Sequence, residues 1–192
     1  MEKLSLTFSN KFIFVISITT IIFIPSVSFA YAISCSVDCE PPTIWKTIYG
    51  SQLNGGLTIN NQTYTIEKWR QEIPTTTVKI GEPIEIVLRM YENYGYRAIT
   101  HVALYFDEDK ITSIIWTKNF KGNTTVTITD PNEIIEAGNV LIIYENDFIV
   151  KYNFTVTFEK PIDTTTMVVR YWDEFVNSNT NYFLDALAIK EQ

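Results

Sequence analysis

The stretch FIVKYNFTVTF, residues 148–158, has the clearest periodicity in the chain. Every even position from Phe148 to Phe158 is apolar, whereas the odd positions after Ile149 carry Lys, Asn or Thr. A period of two built from β-branched and aromatic residues is typical of a strand with one buried face. The stretch therefore predicts a long strand, with Asn153 on its polar face.

Similar patterns extend to both sides of this stretch. The alternation recurs over residues 84–91, 102–106 and 167–172, and turn residues such as Asp130-Pro131-Asn132 separate the apolar runs. Helical periodicity is confined to about one turn each at Ile134–Ala137 and around Trp69. Many short strands joined by turns predict an all-β fold, an antiparallel β-sandwich of the immunoglobulin type. Shorter strands are predicted at residues 57–59, 63–66, 76–80, 111–117, 124–129, 140–144 and 182–189.

The composition limits the classes of function. The chain has 192 residues, with 15 Lys and Arg, 22 Asp and Glu, one His and two Cys, and its net charge is −7. Nucleic-acid binding needs clustered Lys and Arg, so the acidic balance argues against it. A single His argues against a multi-histidine metal centre, and seven Gly leave little room for phosphate-binding loops. No cofactor is predicted.

Residues 1–32 have the pattern of a secretory signal helix. Lys3 and Lys11 precede a mainly apolar run over residues 12–24. Ala30-Tyr31-Ala32 then places small residues before a cleavage point. A retained anchor is the alternative, although the run is shorter than the roughly 20 residues that span a bilayer. The predicted organisation is a signal peptide over 1–32, an N-terminal arm over 33–56 and a β-sandwich domain over 57–192. The predicted location is extracellular or at the cell surface, with membrane contact only through a retained N-terminal segment.

Cys35 and Cys39 lie just beyond the predicted cleavage point. Exported proteins meet oxidising conditions, so the pair predicts a short disulfide that clips the arm. Lipid attachment at Cys35, a thiolate metal site, and free or intermolecular thiols are the alternatives.

Three Asn-x-Thr triplets predict glycosylation at Asn61, Asn123 and Asn153. Asn61 and Asn123 fall on predicted turns, where a glycan has room. Asn153 falls on the polar face of the predicted strand with which the analysis began.

Two acidic turns are candidates for calcium, because clustered carboxylate and amide oxygens suit a hard cation. One contains Asp107 and Asp109, and the other contains Asp130 and Asn132. Solvated turns are the simpler interpretation, since Asp and Asn favour turns through local hydrogen bonds.

Aromatic residues gather near two turns. Tyr91, Tyr94 and Tyr96 flank one, and Trp172 precedes a polar loop that contains Asp173 and Asn177. Exposed aromatic rings bind sugars or protein partners, whereas the alternative is that these rings fill a sheet face. The polar loop is either a ligand loop or a solvated connection.

Catalysis finds little support in the sequence. There is no GxSxG motif, and His101, the single His, lies on a predicted strand where a structural role is the simpler interpretation. We therefore predict that the chain is not an enzyme. A carboxylate-based hydrolase acting on polysaccharide is the alternative, because the separation of paired carboxylates is set by the fold.

Two blocks of sequence carry a resemblance to a known family. The first runs from Lys79-Ile80-Gly81-Glu82-Pro83 to Met90-Tyr91-Glu92-Asn93 and on to His101-Val102. The second is Phe158-Glu159-Lys160-Pro161, followed by residues 167–173 (MVVRYWD), Asn177-Ser178 and Asp185-Ala186. Together they resemble an extracellular β-sandwich domain that recurs in secreted proteins of ammonia-oxidising archaea. The resemblance implies the fold and the location, and it brings no activity with it.

These observations together predict a secreted or cell-surface domain that works by binding a protein or a glycan. This prediction rests on the signal pattern, the strand-only periodicity and the missing catalytic motifs. The first alternative is a structural subunit of a surface filament or layer, assembled by strand exchange through the 33–56 arm. The second is the polysaccharide-acting enzyme described above.

Overall fold

The alternating stretch with which the sequence analysis began forms an inner strand of one of two sheets in the computed structural model, which describes residues 38–191. The prediction of an all-β sandwich is confirmed, and the predicted signal helix lies outside the described residues. The strands in chain order are β1 (Leu57–Ile59), β2 (Gln62–Tyr64), β3 (Arg70–Glu72), β4 (Thr76–Lys79), β5 (Pro83–Tyr91), β6 (Ile99–Tyr105), β7 (Ser113–Lys118), β8 (Thr124–Thr129), β9 (Ile135–Tyr144), β10 (Ile149–Phe158), β11 (Ile162–Asp173) and β12 (Ser178–Lys190).

The two sheets differ in how their strands pair. The first has the order β2-β1-β5-β10-β9, and every pair in it is antiparallel. The second has the order β3-β12-β11-β6-β7-β8, with β4 also on β12. Here β3 and β4 pair with β12 in parallel, so the prediction of purely antiparallel sheets is wrong at these two pairs. They follow one another along one edge of β12, with Pro74, which has no N–H to donate, in the interruption between them.

Apolar side chains from the two sheets meet in one core. Tyr152, Phe154 and Phe158 of β10 are almost completely buried, as the period-two pattern predicts. Phe158 meets Phe106 edge to face, with ring centroids 5.0 Å apart, and Tyr152 lies 4.9 Å from Trp116 of the opposite sheet. Contacts of this kind join the sheets in the middle of the sandwich.

Neither of the two candidate helical turns is helical. Ile135 begins strand β9 and pairs with Phe158, and Trp69 directly precedes strand β3. Pairing with a neighbouring strand outweighs the local helical pattern in such short segments. The helix that the structure shows within residues 38–191 is a single 3-10 turn, Tyr96–Ala98.

None of the helices in this described range is long and apolar enough to cross a membrane.

Residues 38–56 lie against the first sheet. The backbone N–H groups of Thr43 and Tyr91 each donate to the carbonyl of the other, at 2.9 and 2.8 Å, and Ile44 is fully buried. Gly56 is required here, because a Cβ at this position would come within 1.7 Å of the Ile44 carbonyl oxygen. The described part of the segment is therefore a fixed part of the sandwich.

Truncating the core side chain of β10 tests this packing. We expect Phe154→Ala to lower the free energy of unfolding by about 3–5 kcal/mol, the usual cost of an aromatic cavity. Phe120→Ala is the control, because Phe120 is 93% exposed. Urea unfolding of both variants gives the comparison, and equal losses of stability would contradict the assigned core.

Candidate functional site

The loop that follows Trp172 is held by one carboxylate. Asp173 Oδ1 accepts hydrogen bonds from the backbone N–H groups of Phe175 (2.8 Å) and Asn177 (2.9 Å), and its Oδ2 accepts one from Asn177 Nδ2 (2.8 Å). The Glu174 N–H donates to the carbonyl of Ala98 at 2.8 Å, which fixes the loop to the 3-10 turn. We call this segment the 173–177 loop.

Val176 at the tip of this loop has an unusual backbone conformation. Its φ is 67°, in the left-handed region that β-branched residues rarely adopt, and its side chain is 77% exposed. Strain of this kind persists only where the surrounding contacts enforce it, and it concentrates at ligand sites. The hydrogen bonds of Asp173 are the contacts that enforce it here.

A groove of about 800 Å³ lies beside the 173–177 loop. Phe120 stands at its wall with 93% of its surface exposed. Phe175 is half-buried, and its ring meets the ring of Tyr94 edge to face at 5.1 Å. We call this feature the aromatic groove; its lining residues are Arg97, Thr100, Lys118, Asn119, Phe120, Gly122, Trp172, Asp173, Glu174, Phe175 and Val176.

Polar groups stand among these rings. Lys118 Nζ donates a hydrogen bond to the carbonyl of Arg97. Burial lowers the pKa of Lys118, and the nearby carboxylate of Glu174 opposes that shift. The groove therefore offers a guanidinium, an ammonium and a carboxylate close to exposed aromatic surface.

Trp172 forms a stack with His101. The two rings are nearly parallel, with an interplanar angle of 8° and centroids 3.3 Å apart, and the guanidinium of Arg170 lies 5.3 Å from the Trp172 ring centroid. Burial, with a smaller effect of Arg170, lowers the pKa of His101 to about 4, so the imidazole is neutral at pH 7. Because Trp172 already contacts these two groups, Phe120 and Phe175 are the aromatic rings of the groove that are more available to a ligand.

Three carboxylates meet beneath the 173–177 loop. Asp38, Glu92 and Asp173 are 5%, 0% and 1% exposed, and one ligand oxygen from each lies within 4.8 Å of the other two. No other group of three or more His, Cys, Asp or Glu side chains within residues 38–191 comes this close together. We call these three residues the carboxylate cluster.

Hydrogen bonds join the cluster to the turn that contains Asn93 and Tyr94. Asp38 Oδ1 accepts from Asn93 Nδ2 at 2.8 Å, and Glu92 Oε1 accepts from the Tyr94 N–H at 3.0 Å. Glu92 Oε2 is buried, and the carboxyl groups of Glu92 and Asp38 share a hydrogen bond. None of the ion pairs found within residues 38–191 includes Glu92 or Asp173.

The electrostatic consequence falls on Glu92. Burial, with a smaller effect of the negative charges of Asp38 and Asp173, raises the pKa of Glu92 to about 8 against the lowering effect of the Tyr94 hydrogen bond. Without a cation, Glu92 is therefore largely protonated at neutral pH.

The candidate glycosylation residues have different surroundings. Asn61 and Asn123 are exposed, and Asn61 lies in a turn with φ of 67°. Asn153 is half-buried on β10, and its Nδ2 donates a hydrogen bond to Glu85 Oε1. A glycan at Asn153 would have to replace that bond. Modification of the three residues stays a prediction, as does the disulfide, since Cys35 lies outside the described residues.

Two of the candidate calcium residues already accept hydrogen bonds from backbone N–H groups in their own turns. Both carboxylate oxygens of Asp107 accept backbone N–H bonds, from Ile111 and Thr112 at 2.8 Å. Asp130 Oδ2 accepts from the Ile135 N–H at 2.6 Å. Asp109 and Asn132 are exposed. Calcium at these turns stays a prediction; the carboxylate cluster is a different set of residues.

The sequence identified part of this site. Tyr94, Trp172 and Asp173 belong to the aromatic turn and the polar loop that the pattern singled out. Phe120, Asp38 and Glu92 were missed. Glu92 directly follows the apolar strand β5. Its complete burial would mark it as unusual, but the sequence does not show that burial, because the residues around it come from distant segments.

Comparisons with known proteins give limited information. No family model matches the chain, and a search of curated proteins finds no match. Among solved structures, a family 9 carbohydrate-binding module from Caldicellulosiruptor kristjanssonii in complex with cellotriose is 12% identical, over 58% of this chain and 71% of that chain, with a TM-score of 0.34. A family 9 module from the same organism in complex with glucose is 12% identical, over 58% of this chain and 73% of that chain, with a TM-score of 0.32. These TM-scores are too low to establish a shared fold or a shared ligand.

The pKa of Glu92 predicts how stability depends on pH in the presence of a chelator. The folded state binds this proton more tightly than the unfolded state, since the pKa rises from 4.5 to about 8 on folding. The stabilisation is therefore complete below the unfolded pKa and is lost as the pH rises through the folded pKa. Glu92→Gln has no proton to lose at this position. When the pH is raised from about 5 to about 8.5 in EDTA, we therefore expect its free energy of unfolding to fall less than that of the unmodified chain.

Glu145→Gln is the control for this prediction. Hydrogen bonds from Arg89, together with contacts from Lys151, lower the pKa of Glu145 to about 2, so this group keeps its charge throughout the range. Urea unfolding at the two pH values measures the effect. A pH dependence that is the same in Glu92→Gln and the unmodified chain would show that Glu92 is not the titrating group.

Proposed function

We propose that the chain is a non-catalytic binding domain of the cell surface or extracellular space, and that the aromatic groove binds carbohydrate. One observation carries the proposal: Phe120 is almost fully exposed at the wall of a groove that also presents Arg97, Lys118 and Glu174. The extracellular location rests on the predicted signal in residues 1–32.

The chemistry of the groove matches that of a sugar. A pyranose ring has apolar C–H faces that pack on aromatic rings and hydroxyl groups that need donors and acceptors. Phe120 and Phe175 supply the apolar surface, and Arg97, Asn119 and Glu174 supply polar groups. The volume of about 800 Å³ falls within the usual range of small-ligand sites, roughly 300–1,000 Å³.

The same geometry favours binding over hydrolysis. A glycosidase needs two carboxyl groups that face the substrate from opposite sides of the bond. Asp173 lines the groove but is 1% exposed, and three N–H groups occupy its oxygens. Glu174 is the exposed carboxylate of the pair, so the groove offers no second open carboxylate beside it.

Truncating the exposed ring tests the proposal. We expect the unmodified chain to bind members of a glycan array, and Phe120→Ala to weaken that binding by about tenfold or more, as the loss of an aromatic anchor commonly does. Titration calorimetry with the best array ligand gives the affinity.

Trp69→Ala is the matched control, because Trp69 is an exposed aromatic residue (58%) outside the aromatic groove. Affinity that depends on Trp69 and is indifferent to Phe120 would place the sugar elsewhere. Failure of the unmodified chain to bind any glycan would contradict the proposed ligand.

A second candidate function is assembly by strand addition. Strands β8 and β9 each lie at one edge of a sheet, and β9 carries Leu141 (58% exposed) and Ile143 (43% exposed) on the sheet face that also carries Asn153. Long apolar edge strands invite pairing with another chain. Thr43, in the N-terminal arm, already pairs with Tyr91 of its own chain. Assembly through the edges of β8 and β9 is therefore favoured over insertion of the arm into another chain.

Adding a charge to the edge tests this second candidate. Leu141→Lys places an ammonium on β9 without entering the core, and we expect it to abolish self-association of the chain. Light scattering after size-exclusion chromatography measures the mass, with Lys68→Glu as a charge-change control at an exposed residue outside β8 and β9. A chain that is monomeric at every concentration would contradict assembly through these edges.

A further inference from the structure

We propose that a side pocket of the aromatic groove holds a negatively charged group of the glycan, either the carboxylate of a uronic acid or a sulfate ester. This inference rests on the proposed function, because it names the class of carbohydrate that the groove binds. The ligand is then an acidic saccharide, with a sugar ring in the groove and its anionic group in the side pocket.

The side pocket has a volume of about 200 Å³ and takes its lining from both sheets. Trp116 of β7 and Tyr152 of β10 close its inner end, since both are almost completely buried and their rings lie 4.9 Å apart. Tyr144 of β9 is 60% exposed and marks the outer side, with its ring centroid 4.6 Å from that of Tyr96. We call this feature the tyrosine pocket.

The tyrosine pocket is continuous with the aromatic groove. Arg97, Lys118 and Gly122 line both of them. A Cβ added at Gly122 would meet no atom within 4 Å, so the junction is open at this point. The volume of about 200 Å³ lies below the roughly 300 Å³ at which ordinary small-ligand sites begin, so the pocket suits a substituent of the ligand better than a whole ligand.

The charge of the tyrosine pocket is the main argument for an anion. Arg97 and Lys118 line it, and none of the residues of the described range that line it is Asp or Glu. Neither cation takes part in an ion pair within residues 38–191, although Asp147 and Glu174 act on them at longer range. Two cations without a paired carboxylate favour a negatively charged partner, even though the whole chain has a net charge of −7.

The two cations also have hydrogen-bond donors to spare. Lys118 Nζ donates to the carbonyl of Arg97, and an ammonium has further N–H groups beyond the one used there. Arg97 is exposed and donates through Nε to the Tyr96 hydroxyl at 3.3 Å. Its Nη groups belong to the planar donor set that pairs with carboxylate and other oxyanions. Burial lowers the pKa of Lys118, and a bound anion would oppose that shift.

Paired glycans test the charge of the ligand. An array presents uronate and sulfated glycans, each beside its carboxyl-reduced or desulfated counterpart. In at least one pair we expect the acidic member to bind about tenfold more tightly than the neutral one, as a hydrogen bond between charged groups commonly provides. The preference should weaken when NaCl is raised from about 20 mM to about 500 mM, because salt screens the attraction. The uronate and sulfate pairs show which of the two anionic groups is recognised.

Two variants locate the anion. Calorimetry with the best acidic glycan and its neutral counterpart gives the ratio of their affinities for each variant. We expect Arg97→Gln and Lys118→Gln each to lower that ratio by about tenfold, since each removes one cation from the tyrosine pocket. Lys68→Gln is the matched control, because Lys68 is exposed and lines neither the tyrosine pocket nor the aromatic groove, so the ratio should not change. Circular dichroism of each variant checks the fold.

The outcomes separate this inference from the proposed function. Equal affinity for both members of every pair, lost in Phe120→Ala, would overturn the acidic ligand and leave carbohydrate binding in the aromatic groove intact. A preference for acidic glycans that both Arg97→Gln and Lys118→Gln retain would place the anion outside the tyrosine pocket. Failure of the unmodified chain to bind any glycan would overturn both proposals.

Discussion

Asp38, Glu92 and Asp173 are buried side by side, which constrains their charges: burial, with a smaller effect of the two neighbouring carboxylates, raises the pKa of Glu92 to about 8. This constraint acts at the end of the sandwich, where the segment ahead of β1, the end of β5 and the 173–177 loop meet. A proton on Glu92 satisfies it, because the protonated carboxyl group shares a hydrogen bond with Asp38.

The rest of the candidate site follows from that junction. Asp173 fixes the backbone of the 173–177 loop through Phe175 and Asn177, and this fixation holds Val176 in its left-handed conformation. The loop in turn places Phe175 beside Tyr94 at one side of the aromatic groove. The groove thus combines exposed rings, which supply binding energy, with a wall whose backbone is held by buried charge.

The sandwich supplies the rigid frame for this arrangement. Strands β5 and β11, which lead to Glu92 and Asp173, lie in different sheets, and the aromatic contacts of β10 with the opposite sheet fix the distance between those sheets. The distances within a site that bridges two sheets depend on how the sheets pack, so a change in the core would also change the geometry of the carboxylate cluster.

Most of the fold could be predicted from the sequence because the decisive signal is local. The period of two in residues 148–158 is set by the strand itself, and the bounds predicted for residues 57–59 and 124–129 are confirmed. Strand β3 and the parallel pairing of β3 and β4 could not be predicted, since they depend on where β12 lies. The carboxylate cluster escaped for the same reason: its members come from distant parts of the chain, and none of them stands in a motif.

A crystal structure of the protein with the glycan that binds best on the array tests the central claim most directly. The account predicts a sugar ring packed on Phe120 in the aromatic groove, beside the 173–177 loop. A sugar bound outside the aromatic groove would contradict it.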